Sequence, residues 1–127
     1  MIEWAIEACL SSGCFAEVVV STDDAEVADI ARNAGAGVPF TRPAALADDH
    51  ATTASVMVHA VTELHCASRG IDLACCVYPA AVLISSQDLH ESRDLLVSTD
   101  AQYVGAVVRF AHPIQRAVAM EADGRLH

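Results

Sequence analysis

Apolar positions in this chain recur with two different periods. Ile2, Ile6, Cys9 and Leu10 share one face of a helical pattern, and Gly13 supplies its stop. Val18-Val19-Val20 is a continuous β-branched run, which reads as a buried strand. Ser21, Thr22 or Asp23 can cap the helix that follows. That helix carries Val27, Ile30, Ala31 and Ala34 on one face and ends near Gly35. Val38 to Phe40 is a short extended piece, and Arg42 to Ala51 has no period and reads as loop. The Thr52-Thr53 region opens a third helix with Val56, Ala60, Val61 and Leu64 facing the core. Beyond Gly70, Leu73 to Val77 reads as a second fully buried strand, ended by Tyr78-Pro79. Ser85 and Asp88 form a capping-box pattern for a helix over Ser86 to Ser98. Tyr103 to Phe110 and Ala117 to Met120 complete the expected strands.

Strands alternating with helices of this length predict a three-layer α/β/α sandwich with a mainly parallel, Rossmann-like sheet. Ligands of such sheets bind beyond the carboxyl ends of the strands. That rule selects Ser21 to Asp24, Tyr78 to Ser86 and the segment after Phe110, with the Arg42 loop on the same rim.

Length and charge narrow the chemistry. The 127 residues fit one domain, and 7 basic against 17 acidic side chains give a net charge of −10. Every basic residue is an arginine, so a phosphate-binding lysine is absent from these 127 residues. The acidic excess argues against nucleic acid or an anionic membrane as partner. The longest apolar stretch, Leu73 to Ile84, is too short for a membrane span and contains Pro79. No basic n-region opens the chain, and a cytoplasmic location is expected. The five cysteines show no Cys-x-x-Cys pair and read as small buried hydrophobes in a reducing compartment. The six histidines show no metal spacing. Asp23 and Asp24 read as helix-capping and first-turn carboxylates in preference to a metal pair.

Five segments, in order and with consistent spacing, resemble the nucleotide-sugar cytidylyltransferases. These enzymes activate nine-carbon acidic sugars such as sialic and pseudaminic acid as CMP derivatives. The segments are IEACLSSGCF (6–15), VVVSTDD (18–24), FTRPAALADD (40–49), CCVYPAAVLISSQDL (75–89) and PIQRA (113–117), the last leaning toward the pseudaminic acid branch. The resemblance implies a nucleotide-diphospho-sugar transferase-like fold and a partial domain over residues 1–127. It implies nucleotide contacts at Arg42, Pro43, Thr52 and Thr53, and sugar contacts at Tyr78, Pro79, Gln115 and Arg116. Each position also has a plainer reading: a solvated loop arginine, helix-capping hydroxyls, a turn with a rim tyrosine, and an exposed polar loop.

The departures from that family shape the functional expectation. Its first strand, its Arg-Gly-Gly-Ser-Lys phosphate loop and its metal-binding aspartates have no counterpart in these residues, so the resemblance is to a chain truncated at both ends. The Tyr-Pro-Thr-Ala-Pro pattern stands as Tyr78-Pro79-Ala80-Ala81-Val82. Nucleotidyl transfer needs Mg²⁺ and fixed cationic donors for the charge on the leaving pyrophosphate. The family's Mg²⁺ is therefore not expected to be retained, and the chain alone is expected to be inactive while keeping weak CTP, CMP or nonulosonic sugar binding. The alternative is a non-catalytic module for self-association or partner binding. A missing interior strand leaves unpaired edges and apolar helix faces, so a homodimer is expected, through the opening helix or an edge strand.

Overall fold

The computed structural model describes residues 1–66 and 70–107, apart from the side chain of Cys66. Four α-helices follow one another: α1 (Ile2–Ser12), α2 (Ala25–Asn33), α3 (Thr53–Cys66) and α4 (Ser86–Ser98), with a 3₁₀ turn at Ala44–Leu46. All four helices foreseen from periodicity and caps are present. Gly13 ends α1 in the left-handed region at φ 65°. Gly35 adopts φ 94° just after α2, where an added Cβ would lie 3.1 Å from Leu10 Cδ1. The cap of α2 is Asp24, not one of the three residues before it. Its Oδ1 accepts the Glu26 and Val27 N–H groups at 2.7 and 3.1 Å. Thr22 instead turns the chain into that cap, accepting the Asp24 N–H at 3.1 Å. At α4, Ser85 and Asp88 form the reciprocal capping box.

The expected sandwich is not formed among the described residues, where β pairing is a single parallel bridge between Val19 and Gly37. Gly37 N–H donates to Val18 O at 2.8 Å, and Val20 N–H donates to Gly37 O at 2.9 Å. The next rung of a parallel ladder would need an N–H from residue 39, which is Pro39 and has none. The chain departs there and returns to the same neighbour at Arg42, whose N–H donates to Thr22 O at 2.9 Å.

Leu73–Val77 corrects the sequence reading more sharply. It makes no β pairing and is not buried; Leu73 is 53% exposed. An apolar run is stable as an interior strand only when both edges are paired and both faces covered. Neither condition is met among the described residues. Residues 103–107 likewise carry no pairing, with Val107 92% exposed. Residues 108–110 and the expected strand Ala117 to Met120 lie outside the described residues.

The core lies at the bridge. Ile6, Ala31 and Ala36 are buried together, at 3%, 0% and 6% exposure, with Ile2, Val18, Val20, Ala34 and Val38 packed against them. Helix α1 lies over this cluster and contacts both α2 and α4. The positions of α3 expected to face the core, Val56, Ala60, Val61 and Leu64, are only half-buried. No helix among the described residues is long and apolar enough to cross a membrane.

Ile6 is the largest side chain of the buried cluster. Ile6→Ala is expected to destabilise the fold by about 2–5 kcal/mol in urea denaturation. A cost below about 1 kcal/mol, short of that range, would show that the cluster is not the stabilising core.

Candidate functional site

Three of the expected site elements lie within the described residues. The first is Arg42, held against the end of the Val18–Val20 segment. Its Nε donates to Ser21 Oγ at 3.1 Å, and its Nη2 donates to the Ser21 carbonyl. Together with the backbone bond to Thr22, these contacts fix a half-buried guanidinium in place. They use two of the five N–H donors of the guanidinium fork, so donors remain on an oriented cation. Pro43 follows and begins the 3₁₀ turn, with its side chain exposed.

The second element is the start of α3. Asp48 shapes the approach, accepting the His50 and Ala51 N–H groups at 3.0 and 2.8 Å. Thr52 acts as a helix cap: its Oγ1 accepts the Ser55 N–H at 3.1 Å. Thr53, one residue on, points elsewhere. Its Oγ1 lies 2.6 Å from the hydroxyl of Tyr78.

Tyr78 belongs to the third element, a run of turns. Ala81 N–H donates to Tyr78 O at 2.9 Å, Val82 N–H to Ala80 O at 2.9 Å, and Ile84 N–H to Ala81 O at 3.2 Å. The run ends at the α4 capping box. There the Ser85 hydroxyl, and then its backbone N–H, hold the Asp88 carboxyl below its ordinary range. Pro79 is exposed at the first of these turns. Thr53 and Tyr78, from the expected nucleotide and sugar sets, are thus in direct contact. Gln115 and Arg116 lie outside the described residues.

Two features of this region were not foreseen. Ser21 is the anchor of Arg42, and Phe40 packs edge-on against His59, with ring centroids 5.3 Å apart. The latter contact ties the segment leading to Arg42 onto α3. His59 Nδ1 is buried without a hydrogen-bond partner among the described residues. A cleft of about 260 Å³ lies next to the rim, between α2 and Val38–Thr41. Asp23, Asp24 and Asp29 line it, with Arg32 as its cation, so its charge does not suit a triphosphate.

The Mg²⁺ implied by the resemblance does not fit the side chains described here. Asp24 spends its Oδ1 on two backbone N–H groups. No group of three or more His, Cys, Asp or Glu side chains that could hold a metal ion occurs among the described residues. No chemical step is therefore assigned to a metal on this surface.

Comparison with known proteins places this geometry in context. The family model described as cytidylyltransferase matches residues 1–122. The chain is 32% identical over 127 residues to a pseudaminic acid cytidylyltransferase of Campylobacter jejuni, covering 100% of this chain and 55% of that protein. It is 34% identical over 122 residues, 95% of this chain, to a Helicobacter pylori protein. That protein is named as both a pseudaminic acid cytidylyltransferase and a UDP-2,4-diacetamido-2,4,6-trideoxy-beta-L-altropyranose hydrolase, and the match covers 23% of it. A CMP-N,N'-diacetyllegionaminic acid synthase of Legionella pneumophila is 42% identical over 64 residues, 50% of this chain and 26% of that protein. The chain thus spans about half the length of the Campylobacter relative and less of the other two.

Proposed function

The chain belongs to the cytidylyltransferase family, and on that premise we propose that it forms the base- and sugar-holding part of a CMP-nonulosonic acid cytidylyltransferase site. The observation that carries this reading is the 2.6 Å contact between Thr53 Oγ1 and the Tyr78 hydroxyl. It sets one residue expected at the nucleotide beside one expected at the acceptor sugar, which is the juxtaposition a transfer between the two requires. The oriented Arg42 guanidinium supplies a charge-assisted donor for a nucleotide phosphate or a sugar carboxylate. Thr52 and Pro43 shape the approach. Pro79, Gln115 and Arg116 complete the sugar side. Pseudaminic acid is the favoured sugar, since the relatives aligned over most of this chain carry its name.

The 127-residue chain does not turn over CTP by itself in this reading. Pyrophosphate departure needs fixed cations and a metal, and the chain has no lysine and no metal-binding set among its described residues. The exposed run Leu73–Val77 is an interior strand of the family's α/β sandwich in waiting, short of its pairing partners. The family fold is nucleotidyltransferase-like, and its sheet would supply that pairing.

Calorimetric titration with CMP and CTP tests the reading. Binding is expected in the high-micromolar range, a few kcal/mol short of a micromolar ligand's roughly −8 kcal/mol. Arg42→Ala should remove it, and no pyrophosphate should appear above background with CTP, Mg²⁺ and a nonulosonic acid. Equal binding by wild type and variant, or robust turnover, would contradict the assignment.

Self-association is a second reading, favoured by one observation. Trp4 on α1 is 65% exposed, Met1 before it 76% and Leu10 45%, and a shallow hollow nearby is lined by Glu3, Glu7, Leu10, Ser11 and Ala34. An isologous pairing of α1 with its copy would cover these side chains. Sedimentation at micromolar concentration should show twice the 13.4 kDa chain mass, and Trp4→Glu should return it to monomer. A wild-type monomer under those conditions would exclude the pairing.

A further inference from the structure

The described arginines are held in two different ways. Arg32 donates from Nη1 to Asp29 at 2.9 Å, and Arg93 donates from Nε and Nη2 to Asp94 at 3.0 and 2.7 Å. Each of these cations is paired with a carboxylate of its own helix. Arg42 is held by uncharged oxygens instead, the hydroxyl and the carbonyl of Ser21. Among the described residues it has no carboxylate partner, in a chain with 17 acidic side chains. The atoms engaged matter as much as the partner. Nε–H and the adjacent Nη2–H form one side of the planar guanidinium fork, and Ser21 takes both. The far edge, made by Nη1 and the second Nη2 N–H, donates to nothing among the described residues. Two parallel donors of that kind match two oxygens of a carboxylate or a phosphate.

We propose that Ser21 is a positioning residue that sets the working edge of Arg42. By filling the near side of the fork, it leaves the far edge for an oxyanion with two free oxygens side by side. The phosphate of a nucleoside monophosphate and the carboxylate of an acidic sugar both have that chemistry. The inference rests on the cytidylyltransferase reading of the site and adds to it the residue that orients the cation. A neutral anchor is what the electrostatics require. A carboxylate at position 21 would hold the guanidinium as firmly but would cancel its charge. In a chain of net charge −10, an approaching anion meets general repulsion, and an uncancelled cation offsets it. The backbone fixes the same geometry from the other side, since the Arg42 N–H donates to Thr22 O at 2.9 Å. Thr22 is buried and its hydroxyl accepts the Asp24 N–H, so the anchor sits on a fixed stretch of chain.

The test titrates the full chain with CMP, cytidine, sialic acid and the methyl ester of sialic acid. NMR follows the Arg42 Nε–H in parallel. Wild type should bind CMP more tightly than cytidine. Ser21→Ala should bind CMP about fivefold more weakly, the loss of one hydrogen bond, with cytidine unchanged. Its Arg42 Nε–H should exchange with water faster than in wild type. Ser21→Thr keeps the hydroxyl and should restore both properties. Ser21→Asp should keep the Nε–H protected yet lose CMP binding, which a merely structural role would not produce. A loss seen with sialic acid and absent with its methyl ester would support the proposal with the sugar carboxylate at the far edge. Ser21 is half-buried, so the variants are expected to fold, and helical circular dichroism checks it. Wild-type affinity of Ser21→Ala for both CMP and sialic acid would overturn the inference and leave the functional reading standing. Equal weakening of CMP and cytidine would also overturn it. A wild type that binds none of the four would remove both.

Discussion

Two backbone hydrogen bonds, from Gly37 to Val18 and from Val20 to Gly37, hold the only β pairing among the described residues. The rest of the ordered packing depends on them. They set the Val18–Val20 segment beside the chain leaving α2, and Ile6, Ala31 and Ala36 close over that junction. They also bring the end of the segment to where Arg42 can reach it. Pro39 cuts the ladder one rung later, and the chain uses the slack to swing out and return. The returning residue donates its N–H to Thr22 and wraps its guanidinium around Ser21. A proline that ends a strand pairing thus also shapes the loop that presents the cation.

The second half of the chain is built differently. Helix α3 is held to the bridge region by the contact between Phe40 and His59, and α4 by its packing on α1. Between them the Leu73–Val77 run leads without pairing into the Tyr78 turns. Hydrogen bonds to Tyr78 and around Ser85 order this segment more than apolar burial does. Large apolar side chains remain in solvent there, with Leu83 93% exposed. Arg42 thus rests on a packed scaffold, and Tyr78 on a hydrogen-bonded one.

Local chemistry explains which features were legible in the sequence. The helices were, because caps and periodicity act within a few residues, as at Asp88 and Gly13. Within the Ser21–Asp24 group it is Asp24, next to the helix, that caps it, while Thr22 turns the chain into that cap. The strand reading at Leu73–Val77 misled because composition records a capacity for burial, and burial needs a partner that composition does not supply. The contact of Thr53 with Tyr78 spans 25 residues and that of Cys14 with His90 spans 76, beyond any periodic signal. Helix-start and strand-end rules marked the segments of Thr53 and Tyr78, but not their pairing. Gln115 and Arg116 rest on that resemblance alone.

The central proposal is that Arg42, held at the Val19–Gly37 pairing, and the contacting pair Thr53 and Tyr78 serve one bound nucleotide. Amide and side-chain NMR shifts during titration with CMP test it residue by residue. The account predicts saturable shifts at Ser21, Arg42, Thr53 and Tyr78 with a common affinity, and little change along α4. Shifts absent from these residues, or confined to the carboxylate-lined cleft at α2, would contradict it.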